Sequence, residues 1–99
     1  MIDLRPEFLG QVQAILRTYV PNRTVWVFGS RITGATKPHS DLDLVILGSK
    51  KLPIETLSAL NEAFATSNIP IRIDIVDWNR ISEEFQKVIK QRHEEISFS

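Results

Sequence analysis

Two aspartates separated by one leucine open an apolar run in the stretch SDLDLVIL, residues 40–47. An ionised carboxylate in apolar surroundings costs several kcal/mol unless it is paired or ligates a metal ion. Alternate residues of a strand point to the same face, so Asp41 and Asp43 share one face while Leu42 and Leu44 point to the other. The pattern therefore predicts a core strand that carries two carboxylates on one side.

Hydrophobic periodicity predicts three helices. The first covers residues 6–19, with Pro6 in its first turn, and the second covers residues 54–65. The last begins after an N-cap at Ser82. The residues predicted to face inward are Ile54, Leu57, Leu60 and Phe64 in the second helix, and Phe85, Val88 and Ile89 in the last, with Ile96 as a further candidate.

Runs of β-branched and aromatic residues predict three strands, at residues 24–28, 42–47 and 71–76. A short helical turn and a loop are expected from Ser30 to Ser40. Helices and strands alternate without a repeat or a linker, so we expect one domain over residues 1–99. The expected fold class is α/β (α+β), with a small mixed sheet of about three strands packed by helices.

Composition narrows the possible partners. Twelve basic and twelve acidic residues cancel, so no global basic field favours a long nucleic acid, and direct nucleic-acid binding is not expected. The absence of cysteine excludes a disulfide framework and a thiolate metal site. The chain shows neither a signal-peptide pattern nor an apolar run long enough to span a bilayer, so we expect a soluble cytoplasmic protein with no membrane contact.

A third acid stands in the stretch IRIDIVD, residues 71–77. If this strand neighbours the second, Asp74 joins Asp41 and Asp43, and the crowded charges raise carboxyl pKa values unless divalent cations offset them. Oxygen ligands in a chain without cysteine favour Mg²⁺, with Mn²⁺ as the alternative. Such acids can hold two ions roughly 4 Å apart, an arrangement suited to phosphoryl and nucleotidyl transfer.

Gly29 and Ser30 follow the first strand directly. Glycine lets the backbone approach a ligand closely, and the N–H groups of a helical turn starting at Ser30 favour phosphate oxygens. Arg31 and Ser40 complete the predicted nucleotide-binding set, although Arg31 is equally compatible with a surface position. The sequence thus predicts a phosphate-binding turn close to the acidic strand.

The stretch GSRITGATKPHSDLDL, residues 29–44, resembles the Gly-Ser, spacer, Asp-x-Asp signature of the DNA polymerase β-like nucleotidyltransferase superfamily. The chain length and the later RIDIVD make it similar to the minimal nucleotidyltransferases. The resemblance implies the polymerase β-like fold, and it implies that Gly29 and Ser30 hold a triphosphate. It also implies that Asp41 and Asp43 bind the metals, and that Asp74 completes the site and helps to activate the acceptor hydroxyl.

The chain departs from the family pattern at Ile32, where a small residue is usual, and it has no acceptor-binding domain of the kind found in larger members. Family members of this size commonly act as antitoxins of small all-helical HEPN proteins, and some transfer AMP from ATP to a partner tyrosine. The resemblance therefore implies a Mg²⁺-dependent nucleotidyltransferase that uses ATP or another NTP and forms a hetero-oligomer with a HEPN-type partner.

Two other interpretations stay open. The fold could neutralise its partner by contact alone, as a non-catalytic binding module. An isolated metal-storage or structural protein would explain the acids but not Gly29-Ser30.

Five further residues have less specific predictions. Asp77 is expected to be a turn or cap residue rather than a ligand, and Lys37 and His39 either contact substrate or are solvated. Trp26 is expected in the core, and Trp78 either in the core or at an interface.

Overall fold

Helices and strands alternate along the computed structural model, which describes residues 4–29 and 41–98. The described elements are α1 (Pro6–Tyr19), β1 (Val25–Phe28), β2 (Leu42–Ile46), α2 (Ile54–Ala65), β3 (Ile73–Asp77), a 3₁₀ turn (Trp78–Arg80), α3 (Glu83–Gln91) and β4 (Glu94–Ile96). The predicted turn and loop at 30–40 lie outside the described residues. None of the described helices has the length and apolar character needed to cross a bilayer.

The described strands form one mixed sheet in the order β3-β2-β1-β4. β1 is antiparallel to β2 and β4, whereas β2 and β3 are parallel. The expected mixed α/β fold is therefore confirmed, but the expectation of about three strands was one strand short. Ile96, a candidate for the last helix, lies instead in β4 opposite Val25, because the free edge of β1 offers backbone partners to this short segment.

The main hydrophobic core lies on one face of the sheet, beneath α1 and α2. It joins buried residues of both helices and of the first two strands: Val12, Leu16, Leu60, Phe64, Val25, Val27, Leu42, Leu44 and Ile46. Because alternate strand residues point to opposite faces, the same register sends Asp43 and Asp74 to the other face. This division leaves the acids outside the main core.

The last helix, α3, packs on the acid-bearing face. Its N-cap is Ser82, as predicted, whose Oγ accepts a hydrogen bond from the backbone N–H of Phe85 at 3.2 Å. The Phe85 ring contacts Phe28 of β1 edge to face, with centroids 5.7 Å apart. Of the residues expected to be inward in α3, Ile89 is buried.

Three residues expected to be buried are exposed: Ile54, Phe85 and Val88, at 56, 36 and 61%. Successive helical residues point about 100° apart, so burial of Ile89 turns Val88 away from the sheet. Ile54 is the first residue of α2, and Leu57, one turn later, is the first of that helix to pack against the core. Phe85 lies on the same face as Ile89, in the first turn of the helix, and stays 36% exposed although its ring contacts Phe28.

Asp77 ends β3 with a buried carboxylate that is only 2% exposed. Its Oδ2 accepts a hydrogen bond from the Leu52 N–H at 2.8 Å, and its Oδ1 accepts from the Asn79 N–H at 3.0 Å. The Arg80 Nε lies 3.2 Å from Oδ2. These contacts cap the 3₁₀ turn and tie it to the segment before α2, which confirms the prediction of a cap residue.

We expect Asp77→Ala to lower the free energy of unfolding by about 2–4 kcal/mol, because two backbone donors and the Arg80 guanidinium lose their acceptor. Urea denaturation followed by circular dichroism measures this change. Glu62→Ala, at an exposed position of α2, is the control and should change stability by less than about 0.5 kcal/mol. Equal effects of the two substitutions would contradict the structural role of Asp77.

Candidate active site

Two carboxylates lie side by side on the face of the sheet opposite α1 and α2, and a third comes just before β2 in the sequence. The parallel register of β2 and β3 sets Asp43 directly opposite Asp74, and Asp41 precedes β2 by one residue. Burial raises the pKa of the Asp43 carboxyl, and the negative charges of Asp74 and Asp41 raise it further. The charges of Asp74 and Asp41 are therefore felt at the Asp43 carboxyl.

Arg72 places a positive charge beside Asp74, and this residue was not among the predicted site residues. Its Nε lies 3.1 Å from Asp74 Oδ1, and the Asp74 side chain is 40% exposed. The Arg72 carbonyl accepts a hydrogen bond from the Leu42 N–H at 3.0 Å, which extends the β2–β3 ladder by one step. Residues two apart in an extended segment share a face, so the RID pattern contained the signal for this ion pair.

The acids do not form a complete metal-binding site in the described residues. Within residues 4–29 and 41–98, no three acidic or histidine side chains stand close enough, as placed, to hold one metal ion together. Since Arg72 engages one oxygen of Asp74, a cation bound by all three aspartates would have to compete with that guanidinium. Asp74 is therefore ion-paired with Arg72, and metal binding by Asp41 and Asp43 stays a prediction.

Gly29 connects the end of β1 to the acids. Its φ is +83°, a left-handed conformation that glycine adopts at little cost. A Cβ at this position would overlap Oδ2 of Asp43 and lie 3.3 Å from its Cγ. Only a residue without a side chain lets the backbone of the predicted phosphate turn lie this close to the carboxylate.

Several residues singled out in the sequence belong to the segment 30–40. Those that lie outside the described residues are Ser30, Arg31 and Ser40 of the nucleotide-binding set, the loop residues Lys37 and His39, and Ile32.

An aromatic cluster borders the site near α3. The Trp26 ring stacks on the His93 ring with the two centroids 3.8 Å apart. It meets the Trp78 ring edge to face, with centroids 5.6 Å apart. The Lys90 Nζ lies 5.7 Å from the Trp78 ring centroid. Trp26 is therefore half-buried on the acid-bearing face rather than in the main core as expected, because even-numbered residues of β1 point away from α1 and α2.

Residues 10–97 match the family model for Polymerase beta, Nucleotidyltransferase. The chain belongs to this family of nucleotidyltransferases. The predicted fold class and reaction class are thereby confirmed, and so is the resemblance to the minimal nucleotidyltransferases. The roles of the individual residues in this nucleotidyltransferase remain predictions.

Relatives with known names include the probable protein adenylyltransferase MntA of Haemophilus influenzae. It is 42% identical over 90 residues, which cover 91% of this nucleotidyltransferase and 79% of the relative. A crystal structure of a toxin–antitoxin with AMP-PNP has a TM-score of 0.76 at 20% identity, covering 92% of this chain and 73% of that one. The toxin–antitoxin MntA–HepT structure gives 0.70 at 17% identity, covering 96% and 74%. These two structural likenesses show the shared fold.

Gly29→Ala should lower the free energy of unfolding by about 1–3 kcal/mol, because it strains a positive-φ position and pushes against the Asp43 carboxylate. Gly10→Ala is the matched control, because Gly10 lies in α1 and a Cβ added there meets no other atom within 4 Å. This change should stabilise the helix by up to about 1 kcal/mol. Thermal and urea unfolding measure both effects. A Gly29→Ala protein as stable as wild type would show that the two groups do not touch.

Asp43→Asn should raise the free energy of unfolding of the metal-free protein at pH 7.5. A carboxyl whose folded-state pKa is raised contributes favourably below its unfolded pKa, near 3.8, and this contribution is lost as pH rises through the folded value. The stability difference between variant and wild type should therefore grow from acidic to neutral pH. Urea unfolding in EDTA between pH 3.5 and 7.5 measures it, and a difference independent of pH would contradict a raised pKa of Asp43.

Proposed function

We propose that this nucleotidyltransferase is the antitoxin of a toxin–antitoxin pair and a Mg²⁺-dependent protein adenylyltransferase. In this proposal it transfers AMP from ATP to a hydroxyl group, a tyrosine of a small helical HEPN-type partner, with which it forms a hetero-oligomer in the cytoplasm. The observation that carries the proposal is the register of Asp43 opposite Asp74, with Gly29 against Asp43. The names of the 42% identical relative and of the structural neighbours support it.

The nucleotide is held by the end of β1 in this proposal. Gly29 brings the backbone against Asp43, so a phosphate bound at the following turn would lie beside the acidic group. Ser30, Arg31 and Ser40 are the proposed further contacts to the phosphates of ATP. Backbone N–H groups and a guanidinium both suit phosphate oxygens.

The donor set suits a hard divalent cation. Asp41 and Asp43 supply carboxylate oxygens, the ligands that Mg²⁺ and Mn²⁺ prefer. Burial raises the pKa of Asp43, the charges of Asp74 and Asp41 raise it further, and a bound cation would favour the ionised carboxylate. Bound Mg²⁺, as two ions in the proposal, supplies electrostatic stabilisation of the charge that develops at the α-phosphate. Asp74 joins this set when its pairing with Arg72 opens.

The proposed reaction forms one bond and breaks one. The acceptor hydroxyl oxygen bonds to the α-phosphorus of ATP, the bond between that phosphorus and the bridging oxygen breaks, and pyrophosphate leaves. The hydroxyl proton passes to the Asp74 carboxylate, whose 40% exposure lets an acceptor reach it. General base action of this kind requires hydrogen-bond reach between the carboxylate and the hydroxyl.

A contact-only antitoxin is the alternative, and the surface of α3 favours it in one respect. Phe85 and Val88 form an exposed apolar pair on this helix, which suits contact with another protein. Such contact is compatible with catalysis, so the two functions are separated by experiment rather than by the surface.

With Mg²⁺, labelled ATP and its partner, the wild-type protein should transfer labelled AMP to the partner and release pyrophosphate. Asp43→Asn should reduce this transfer by at least about a thousandfold, because it removes one negatively charged Mg²⁺ ligand from the proposed active site. Glu62→Gln, a charge change at an exposed position of α2, is the control and should transfer like wild type. Radiolabel transfer and mass spectrometry of the partner measure the outcome.

Suppression of partner toxicity is scored in parallel. Asp43→Asn that matches wild-type transfer would overturn the catalytic assignment. If wild type and Asp43→Asn both suppress toxicity and neither transfers AMP, the protein is a contact-only antitoxin.

A further inference from the structure

A partly exposed aromatic ring lies on the acid-bearing face of the sheet. Phe85, in the first turn of α3, is 36% exposed. Its ring meets Phe28 edge to face, with the two centroids 5.7 Å apart. A group that covered the exposed part of this ring would bury apolar surface and so gain free energy.

Phe28 connects this ring to the acids. It lies directly opposite Asp43 in the antiparallel register of β1 and β2, and the side chains of directly opposed residues lie side by side on one face of a sheet. Gly29 follows Phe28 in the chain, so the residue that contacts Phe85 also precedes the proposed phosphate turn. Phe85 is therefore separated from the Asp43 carboxylate by a single side chain.

The geometry of the proposed transfer gives the nucleoside a direction. The attacking oxygen, the α-phosphorus and the leaving oxygen lie roughly on one line, whereas the nucleoside is attached through another oxygen of the α-phosphate and lies off that line. Behind the acids stands the sheet, with α1 and α2 packed on its inner face. The nucleoside of a nucleotide bound at Asp43 therefore extends outward from the sheet, into the space that α3 borders.

We propose that Phe85 is the platform on which the base of the bound nucleotide stacks. This inference rests on the proposed adenylyltransferase function and adds the residue that holds the nucleoside. Edge-to-face contact with Phe28 orients the ring, and its exposed part is open to a base. Because every base has a π face, this contact adds affinity for a nucleotide without reading the identity of its base.

The neighbouring aromatic cluster is a poorer platform. The Trp26 ring is already stacked on His93 and meets Trp78 edge to face. Val88, the other exposed apolar residue described in α3, has no π system and points away from the sheet. Phe85 thus combines an aromatic ring, partial exposure and a direct connection to the residue opposite Asp43.

Two ligands separate base stacking from phosphate binding. Mg²⁺–AMP-PNP carries a base and Mg²⁺–tripolyphosphate does not, so only the first should depend on Phe85. The matched variants are Phe85→Leu, which keeps the apolar bulk without a π face, and Phe85→Tyr, which keeps the ring. Val88→Ala is the control at the other exposed apolar position of the same helix. Isothermal titration calorimetry of the full chain gives each Kd.

Phe85→Leu should raise the Kd for Mg²⁺–AMP-PNP by about tenfold, which is the typical effect of losing one base–aromatic stack. Its Kd for Mg²⁺–tripolyphosphate should stay within about twofold of wild type, because the contacts to the phosphates and the metal are kept. Phe85→Tyr and Val88→Ala should bind both ligands like wild type.

Three results would overturn the stacking role. The first is an unchanged Kd of Phe85→Leu for Mg²⁺–AMP-PNP. The second is a loss of affinity for both ligands, which would show that the ring only supports the fold of the site. The third is that Phe85→Leu and Val88→Ala weaken binding of the partner protein but not of Mg²⁺–AMP-PNP, which would identify a docking surface instead.

Failure of the stacking role and failure of the proposed function give different results. If wild type transfers no AMP to its partner but Phe85→Leu selectively loses affinity for Mg²⁺–AMP-PNP, the proposed function fails and the base platform stands. If wild type transfers AMP and Phe85→Leu binds Mg²⁺–AMP-PNP like wild type, the platform fails and the function stands. Wild type that binds neither ligand would contradict both.

Discussion

The parallel pairing of β2 with β3 sets Asp43 opposite Asp74, and the remaining features of the site are arranged around that register. Parallel neighbours need a crossover connection, and α2 provides it while covering the inner face. The alternation along the strands then does two things together. It buries Leu44 and packs Ile75 against the core, and it holds the two acids on the face where a ligand can approach.

Environment divides the aspartates into two kinds. Asp77 is buried, but backbone donors at 2.8 and 3.0 Å and an arginine at 3.2 Å compensate its charge, so it stabilises the fold. Asp43 is partly buried beside two further carboxylates, and its pKa rises. Arg72 offsets part of that excess charge through Asp74. The same type of side chain thus stabilises the fold where donors compensate its charge, and has a raised pKa where it is partly buried beside other carboxylates.

Much of this arrangement was predictable from local patterns. Strand alternation places Asp41 and Asp43, and helical periodicity predicted α1 and α2 with their observed bounds. β4 was missed because Glu94-Glu95-Ile96 has no apolar alternation of its own, and it forms only because β1 has a free edge. Such pairing depends on tertiary structure that no local window contains.

The contacts of single residues were harder to predict than the elements. The approach of Gly29 to Asp43 depends on the antiparallel register of β1 and β2, which pairs Phe28 with Asp43. The burial of Asp77 depends on a loop 25 residues away in sequence. A cleft between the C-terminal half of α2 and residues 69–74 forms only when these two segments are placed together, so no motif along the chain indicates it.

Access to the acids is set by what covers each side of the sheet. Helices α1 and α2 cover the inner face, and α3 lies on the β1 side of the outer face, where Phe28 meets Phe85. In the described part of the chain, β3 forms the edge of the sheet beside the acids. A partner that reached this edge and also covered the exposed residues of α3 would enclose the acids between two contacts. Enclosure of this kind excludes water, and it would let a chain of this size favour transfer to a side chain over hydrolysis of the nucleotide.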